Sequence, residues 1–507
     1  MMMEAYIMTI DVGTTSVKTA VFDKELHCVA SASEDYALDA GRNGFLEFEA
    51  EKYLEVIRRA AGRMFQGKEK LGEKICAIVP TTQGETLIPV DKNGKALRKA
   101  IVWMDGRAQE QAKELGKEFP PERLYPLTGV SKLAGTVPIC KAMWICQNEP
   151  EVFADTEKFL LLEDWVLFML TGKFVTNKVL LSSSGYYDII NDRYYEEIIL
   201  AAGLRRSHFP EAYEPGTCLG KILPEAAKKL GISGEAEIFT GAMDQPLAAL
   251  AAGNCREGVI TETTGTCMVI GASSKKPDFG NPYQMIIYRH ILPGMYFVMP
   301  DCMTAGMVLK WFLQEFEEEL RKGESPYDRM TKRAEKIPPG ADGLILLPYF
   351  TGIQTPEINP DACGVFFGLD LSMGRDHMIR AIIESVGYML KENLKAVQQV
   401  ARCQASRVRA MGGGAKSDVW LQIKSDICQI EMDRMAYTEC TSLGAAMVGA
   451  VAMGWFPGYE AAVEKSNCVG RVFTPRRENR DVYEKRFKKF LEIYGALKPV
   501  FYSKSEV

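Results

Sequence analysis

The sequence predicts an α/β protein built as two similar lobes. Three observations carry that expectation: the chain is long for one core, short apolar runs alternate with longer amphipathic stretches, and a Gly-Thr turn between β-rich segments heads each half. At 507 residues the chain exceeds what a single hydrophobic core ordinarily supports. Short β-branched or apolar runs recur at 5–10, 77–80, 236–240, 343–348 and 408–411. Helical apolar spacing occupies 50–65, 306–320, 375–400 and 419–430. Alternation of this kind places helices against sheets. No Pro-rich or low-complexity linker divides the chain, so the small-residue run 248–253, followed by polar 254–257, is the candidate hinge between lobes 1–253 and 254–507.

The two turns are internal echoes. The chain opens with TIDVGTTSVKTAVFD and, just after the hinge, reads VITETTGTCMVIGAS. Each is a pair of strands interrupted by a glycine among threonines. One such turn is weak evidence, because any hairpin can hold it. Two of them, one per half, fit a duplicated lobe whose turns face one another across a cleft.

Composition narrows the function. Hydrophobic content of 47% and charged content of 25% are those of a soluble globular protein, and a net charge of −5 offers no field for gripping nucleic acid. Thirteen scattered cysteines without a CxxC pair read as reduced thiols, and the four histidines show no metal-ligand spacing. The N-terminus lacks the features of a secretory signal, and no apolar run is long enough to span a membrane. These observations predict a cytoplasmic protein with neither a nucleic-acid nor a membrane partner.

Three segments carry chemistry. In Asp11-Val12-Gly13-Thr14-Thr15-Ser16, Gly13 lets the backbone approach a ligand. The following N–H groups and hydroxyls suit phosphate oxygens, Asp11 suits Mg²⁺, and Lys18 adds positive charge. The same residues also suit an ordinary polar hairpin. Gly241-Ala242-Met243-Asp244-Gln245 follows an apolar strand and opens a helix, so Asp244 stands where α/β folds gather ligands. It is placed to accept a proton from an attacking hydroxyl, and equally to cap the helix. Gly412-Gly413-Gly414, again between strand and helix, leaves room for something flat such as an adenine ring. The segment 62–69 imitates a P-loop, but a Glu stands where Ser or Thr is needed, and no GxGxxG fingerprint is present.

Together these segments resemble the FGGY family of carbohydrate kinases, which share the actin-like (ribonuclease H-like) two-lobed ATPase fold with nucleotide held in the cleft. GVFFGLDLSMGRDHMIRAIIE, residues 364–384, matches that family's second signature, and TVPICKAMW approximates the first, with Lys141 and Trp144 in place and Ala142 smaller than usual. DVGTTSVK and TTGTC look like its two phosphate loops, GAMDQ like its catalytic segment and GGGAKS like its adenosine segment, in the expected order from about 7 to 498. The resemblance implies ATP and Mg²⁺ as cofactors, with Asp244 as general base and Asp11 with Asp244 placing the metal. It implies phosphate loops at Gly13, Thr14 and Thr15 with Lys18, and at Thr264, Gly265 and Thr266. It also implies an adenosine wall of Gly413, Gly414 and Ala415 bordered by Gly306.

The acceptor pocket is where the resemblance divides. The loop Thr81-Thr82-Gln83-Gly84-Glu85-Thr86 keeps the Glu of the Arg-Glu pair usual in glycerol kinases but has Gly84 for the arginine, and it lacks the Met-His usual in xylulokinases. Losing the guanidinium fork weakens grip on a short triol and leaves space, which favours a ketose or polyol of about four to five carbons. Trp103 and Asp105 resemble the next substrate-lining segment, with a core Trp and a turn Asp as the alternative reading, and Gln245 follows the catalytic Asp. Glycerol kinase, an actin-like ATPase and a catalytically silent sugar sensor are the alternatives. An actin-like ATPase has no need of a substrate-lining loop such as Gln83–Glu85 or of the FGGY signature, and a silent sensor has no use for both Asp11 and Asp244. Family members are often oligomeric, which leaves a homodimer open.

Overall fold

The computed structural model describes residues 4–41, 44–283, 285–316, 325–437 and 439–502. The chain forms two compact units, of which the first joins residues 1–255 with 286–297 and 439–466, and the second holds the remainder. Two segments of the C-terminal half therefore pack into the first unit, beyond the single break expected near 253.

The first unit is organised by a six-stranded mixed sheet. Its strands are β1 (Tyr6–Val12), β2 (Ser16–Phe22), β3 (Cys28–Asp35), β4 (Ile75–Thr82), β5 (Cys218–Lys221) and β6 (Glu237–Phe239), in spatial order β5-β6-β4-β1-β2-β3. β1, β4 and β6 run parallel, whereas β2 and β5 flank them antiparallel. Helix α1 (Ala50–Phe65) buries Ala50, Tyr53, Val56, Ile57, Ala60, Ala61 and Met64, the three-to-four spacing of one apolar face, in a core shared with Met8, Ile10 and Ile78 of the sheet. Burying each large apolar side chain contributes about 1.5–3 kcal/mol. Helices α2 (Pro138–Asn148), α3 (Leu162–Thr171) and α4 (Asp244–Ala251) complete the frame around the site.

The second unit repeats the plan. Among its strands, β7 (Ile260–Thr264), β8 (Met268–Ser274), β9 (Arg407–Met411), β10 (Glu431–Met435) and β11 (Val469–Phe473) lie in the order β8-β7-β9-β10-β11. β7, β9 and β10 are parallel, with antiparallel β8 and β11 outside them. The sequence β2-β1-β4-β6-β5 in the first unit has the same pattern of directions, which is what a duplicated lobe requires. Helices α5 (Gly306–Phe316), α6 (Arg375–Val400) and α7 (Asp418–Cys428) belong to this unit, and α6 packs along α7. Helix was expected over 306–320; positions 317–320 lie outside the described residues. Among the described residues no helix is long and apolar enough to cross a membrane.

Candidate functional site

In the first unit three parallel strands deliver their carboxyl ends to one place. Strand register sets Asp11 beside Thr81 and Val12 beside Thr82, and Gln83 N–H then donates to Val12 O at 3.0 Å. Thr82 also pairs with Met243, and the Thr81 hydroxyl donates to Ala242 O at 2.8 Å. The ends of β1, β4 and β6 are thus stitched together, with Asp11, the 83–86 loop and Asp244 side by side.

Asp244 is the first helical residue of α4; Met243 holds the capping position. Its Oδ1 accepts the Gln245 N–H at 2.7 Å. Asp11 and Asp244 are both half-buried at their surfaces, yet enough protein surrounds them that burial pushes Asp244 up to about 6 and Asp11 up to about 7. Asp244's own charge raises Asp11 further, against the lowering effect of Lys18. The segment is anchored from behind. Glu163 of α3, fully buried, accepts from Gly241 N at 3.1 Å and from Asn177 Nδ2 at 2.9 Å. Burial, with the neighbouring Asp164 charge, lifts the Glu163 carboxyl well above its ordinary range. From the other side, the helix Cys440–Ala452 packs on α4 so closely that a Cβ at Gly444 would lie 2.1 Å from Leu247 O.

The first hairpin closes through Gly13 N–H donating to Ser16 O at 3.0 Å, and the Tyr36 hydroxyl donates to Gly13 O. Thr14 accepts the Trp103 indole N–H at 3.0 Å, which ties the first hairpin turn to the segment at 102–105, and Thr15 is exposed. Lys18 is the cross-strand partner of Asp11, but its ammonium is paired with Glu439.

Lys141 organises the acceptor loops. Fully buried on α2, its Nζ donates to Val102 O at 2.9 Å, Trp103 O at 3.0 Å and Glu85 O at 3.4 Å. Burial pulls its titration down to about 7, against the raising effect of the Glu85 charge. Gln83 is nearly buried, with Nε2 donating to the Thr86 hydroxyl at 3.2 Å.

Two expectations about this pocket need correction. Asp105 is fully buried and its carboxylate is already occupied: it accepts Leu46 N at 2.6 Å, Arg107 N and Nε at 2.9 Å, and Arg107 Nη2 at 2.7 Å. It braces the loop rather than facing a hydroxyl. Gly84 does not open free space either. It adopts φ of +94°, and a Cβ there would lie 3.1 Å from Met243 Sδ, so Met243 fills the position.

The second unit carries a cavity of about 470 Å³ lined by Thr264, Gly265, Thr266, Gly306, Met307, Lys310, Tyr327, Gly413, Gly414, Lys416 and Trp420. Its turn closes through Gly265 N–H donating to Cys267 O at 2.9 Å, and Gly306 N–H donates to Gly265 O at 3.0 Å. The α5 N-terminus therefore abuts the 264–266 turn, where backbone donors and the helix dipole favour anions. Gly265 and Thr266 are exposed; Thr264 is 1% exposed and turns its hydroxyl inward onto Glu262. Its side chain braces the turn instead of offering a donor to phosphate. The glycines divide similarly. A Cβ at Gly414 would meet Thr264 Cβ at 2.7 Å, whereas one at Gly413 meets nothing closer than 3.9 Å, so Gly413 alone of this pair has open space. Ala415 is fully buried and does not line the cavity. Lys310, Tyr327 and Trp420 lie outside the residues singled out in the sequence, and Lys416 enters there only within GGGAKS; Trp420 stands one helical turn past that segment.

The model of the N-terminal domain of the FGGY family of carbohydrate kinases matches residues 6–251, and that of the C-terminal domain matches 259–453. A gluconokinase of Bacillus licheniformis is 28% identical over 500 residues, covering 98% of this chain and 96% of that protein. A xylulose kinase of Bacillus subtilis is 27% identical over 490 residues, covering 96% of each. Among solved structures, a xylulose kinase from Rhodospirillum rubrum superposes with a TM-score of 0.89 at 27% identity, covering 98% of this chain and all of that one. A gluconate kinase from Lactobacillus acidophilus gives 0.88 at 25% identity, covering 97% and 98%. The chain belongs to the FGGY family of carbohydrate kinases, ATP-dependent enzymes of the actin-like fold that phosphorylate sugars.

Proposed function

We propose that the chain phosphorylates a hydroxyl of a neutral ketose or polyol, with Asp244 as general base. The observation that carries this reading is the position of Asp244: at the carboxyl end of a parallel strand, next to the acceptor loop, with its carboxyl pushed up to about 6 so that it is ionised at neutral pH yet basic enough to take a proton. The acceptor oxygen attacks the γ-phosphorus, its proton passes to Asp244, and the bridging oxygen leaves on ADP with the bonding electrons. Within the first unit the Gly13–Thr15 turn is read as one phosphate loop; within the second, the Gly265–Thr266 turn is read as the other, beside the cavity at Gly413 and Trp420 that takes the adenosine.

Among the described residues no group of three or more His, Cys, Asp or Glu side chains is arranged to hold a metal alone. The Asp11–Asp244 pair fits Mg²⁺ shared with phosphate oxygens and waters, since the two carboxylates raise one another's energy and a divalent cation relieves that repulsion. Mg²⁺ would supply charge neutralisation on the β- and γ-phosphates.

The relatives named for xylulose and for gluconate pose a choice between neutral and anionic acceptors. Asp11, Glu85 and Asp244 surround the acceptor position with negative charge. The nearby cations are committed elsewhere: Lys18 to Glu439, Lys141 to backbone carbonyls, and Arg107 to Asp105 and Glu47. That balance favours a neutral acceptor. ADP release with Mg-ATP across matched ketoses, polyols and aldonates tests it. Turnover of neutral acceptors is expected; preference for an aldonate would overturn the substrate assignment, and ATP hydrolysis indifferent to every acceptor would overturn the kinase reading.

A further inference from the structure

We propose that the buried Glu262–Lys424 ion pair is a positioning device for the nucleotide, holding Thr264 and through it the wall shared by the phosphate turn and the adenosine loop. This rests on the reading that the Thr264–Thr266 turn and the cavity beside it bind ATP.

Glu262 and Thr264 are two apart on β7 and so point to one face, where α7 presents Lys424. Both charged side chains are 0% exposed. Lys424 Nζ donates to Glu262 Oε1 at 2.8 Å and to Thr264 Oγ1 at 2.7 Å, and the Thr264 hydroxyl donates to Glu262, closing a three-membered ring of hydrogen bonds. The same ammonium lies 5.0 Å from the centroid of the Trp420 ring, which lines the cavity. On its outer side Thr264 meets the adenosine loop: Cβ atoms at Gly412 and Gly414 would fall 3.0 Å from Thr263 Cγ2 and 2.7 Å from Thr264 Cβ. Thr264 is therefore clamped between the loop and the ion pair.

Stability alone does not call for such a pair. Two buried charges lose hydration that an apolar pair of similar volume never had, and apolar replacements of buried ion pairs are often neutral or stabilising. Among the described residues Glu262 Oε2 is moreover buried with no hydrogen-bond partner, an added cost placed directly under a ligand cavity. What the pair provides and an apolar pair cannot is a fixed rotamer at Thr264, hence a preformed approach of β7 to the glycine loop.

The test compares wild type, Glu262→Leu/Lys424→Met and Glu262→Gln/Lys424→Gln by thermal unfolding, calorimetric binding of Mg-ATP and steady-state kinetics. The apolar double variant is expected to unfold at or above the wild-type midpoint while its ATP KM rises about tenfold, with acceptor KM within about two-fold and kcat little changed. The amide pair, which keeps donors and acceptors on Thr264, is expected to restore ATP KM to within about three-fold of wild type. A wild-type ATP KM in the apolar variant overturns the proposal. Should that variant not fold, Thr264→Val carries the test: it keeps the charges paired and removes only the hydroxyl, so an unchanged ATP KM there is equally decisive against the idea. Wild-type protein that binds no Mg-ATP would instead overturn the underlying reading of the site.

Discussion

Adding one methyl group at each of two adjacent glycines separates steric support of the nucleotide wall from space for the nucleotide. A Cβ at Gly414 would lie 2.7 Å from Thr264 Cβ, 2.9 Å from its Cγ2 and 3.2 Å from its carbonyl oxygen. Carbon atoms pack best at about 3.5–4.0 Å, so either partner must retreat by about an ångström. Thr264 cannot: Lys424 holds its hydroxyl at 2.7 Å from inside the unit. The loop must move instead, and overpacking of this kind costs about 1–3 kcal/mol. At Gly413 the nearest atom is 3.9 Å away, so Ala is accommodated by the fold and intrudes only on the cavity. Gly414→Ala is therefore expected to lower stability by about 1–3 kcal/mol and raise ATP KM about tenfold or more. Gly413→Ala is expected to raise ATP KM with stability within about 0.5 kcal/mol of wild type. Denaturant titration and kinetics with ATP as the varied substrate read both quantities. Equal stability of the two variants, or a Gly414→Ala protein with wild-type ATP KM, would refute the reasoning.

Other predictions concern the first unit. Because Asp244 must be ionised to accept a proton and titrates at about 6, kcat/KM for the acceptor should fall about tenfold per pH unit below that value, as read from a pH–rate profile. A profile flat to pH 5 would remove Asp244 from the role. Gly84→Arg, which must adopt φ near +94° and displace Met243, is expected to cost about 1–3 kcal/mol and to recover in part when combined with Met243→Ala; calorimetric melting of both proteins tests this. Lys141→Met removes the donor that holds the carbonyls of Glu85, Val102 and Trp103, so acceptor KM should rise about tenfold while ATP KM stays within about two-fold. A matching rise in both constants would mean that the whole protein, rather than the acceptor loop, had been disturbed.

How much of this was legible in the sequence depended on the range of the interactions involved. The two hairpins announced themselves because Gly13 and Gly265 with their threonines are local turn chemistry, and the repeated sheet order followed from their duplication. The place of Asp244 was legible from an apolar strand ending in GAMDQ. Asp105 misled: its Asp-Gly-Arg context already held the partner, two residues away, that consumes its carboxylate. Thr264 misled because strand alternation, not proximity to Gly265, decides that its hydroxyl points inward. Three glycines at 412–414 looked like room for a base, whereas close packing on Thr263 and Thr264 accounts for two of them. Met243 behind Gly84, Glu163 behind Gly241 and Lys424 under Thr264 are contacts between residues far apart in the chain, and no local pattern encodes them.

The Asp11 and Asp244 carboxyls both titrate higher in the folded chain than the 3.8 of a free Asp, so the folded state binds more protons from about pH 4 to 7 and loses stability as pH rises through that window. Asp244→Asn should therefore melt higher than wild type at pH 8, which separates loss of function from loss of fold. The most direct measurement is acceptor-dependent ADP release at pH 8 by wild type and this variant, side by side with their melting curves. The account predicts turnover by wild type and a fall of about 10²–10⁴-fold in kcat for a variant that is at least as stable. A folded Asp244→Asn protein with kcat near that of wild type would contradict it.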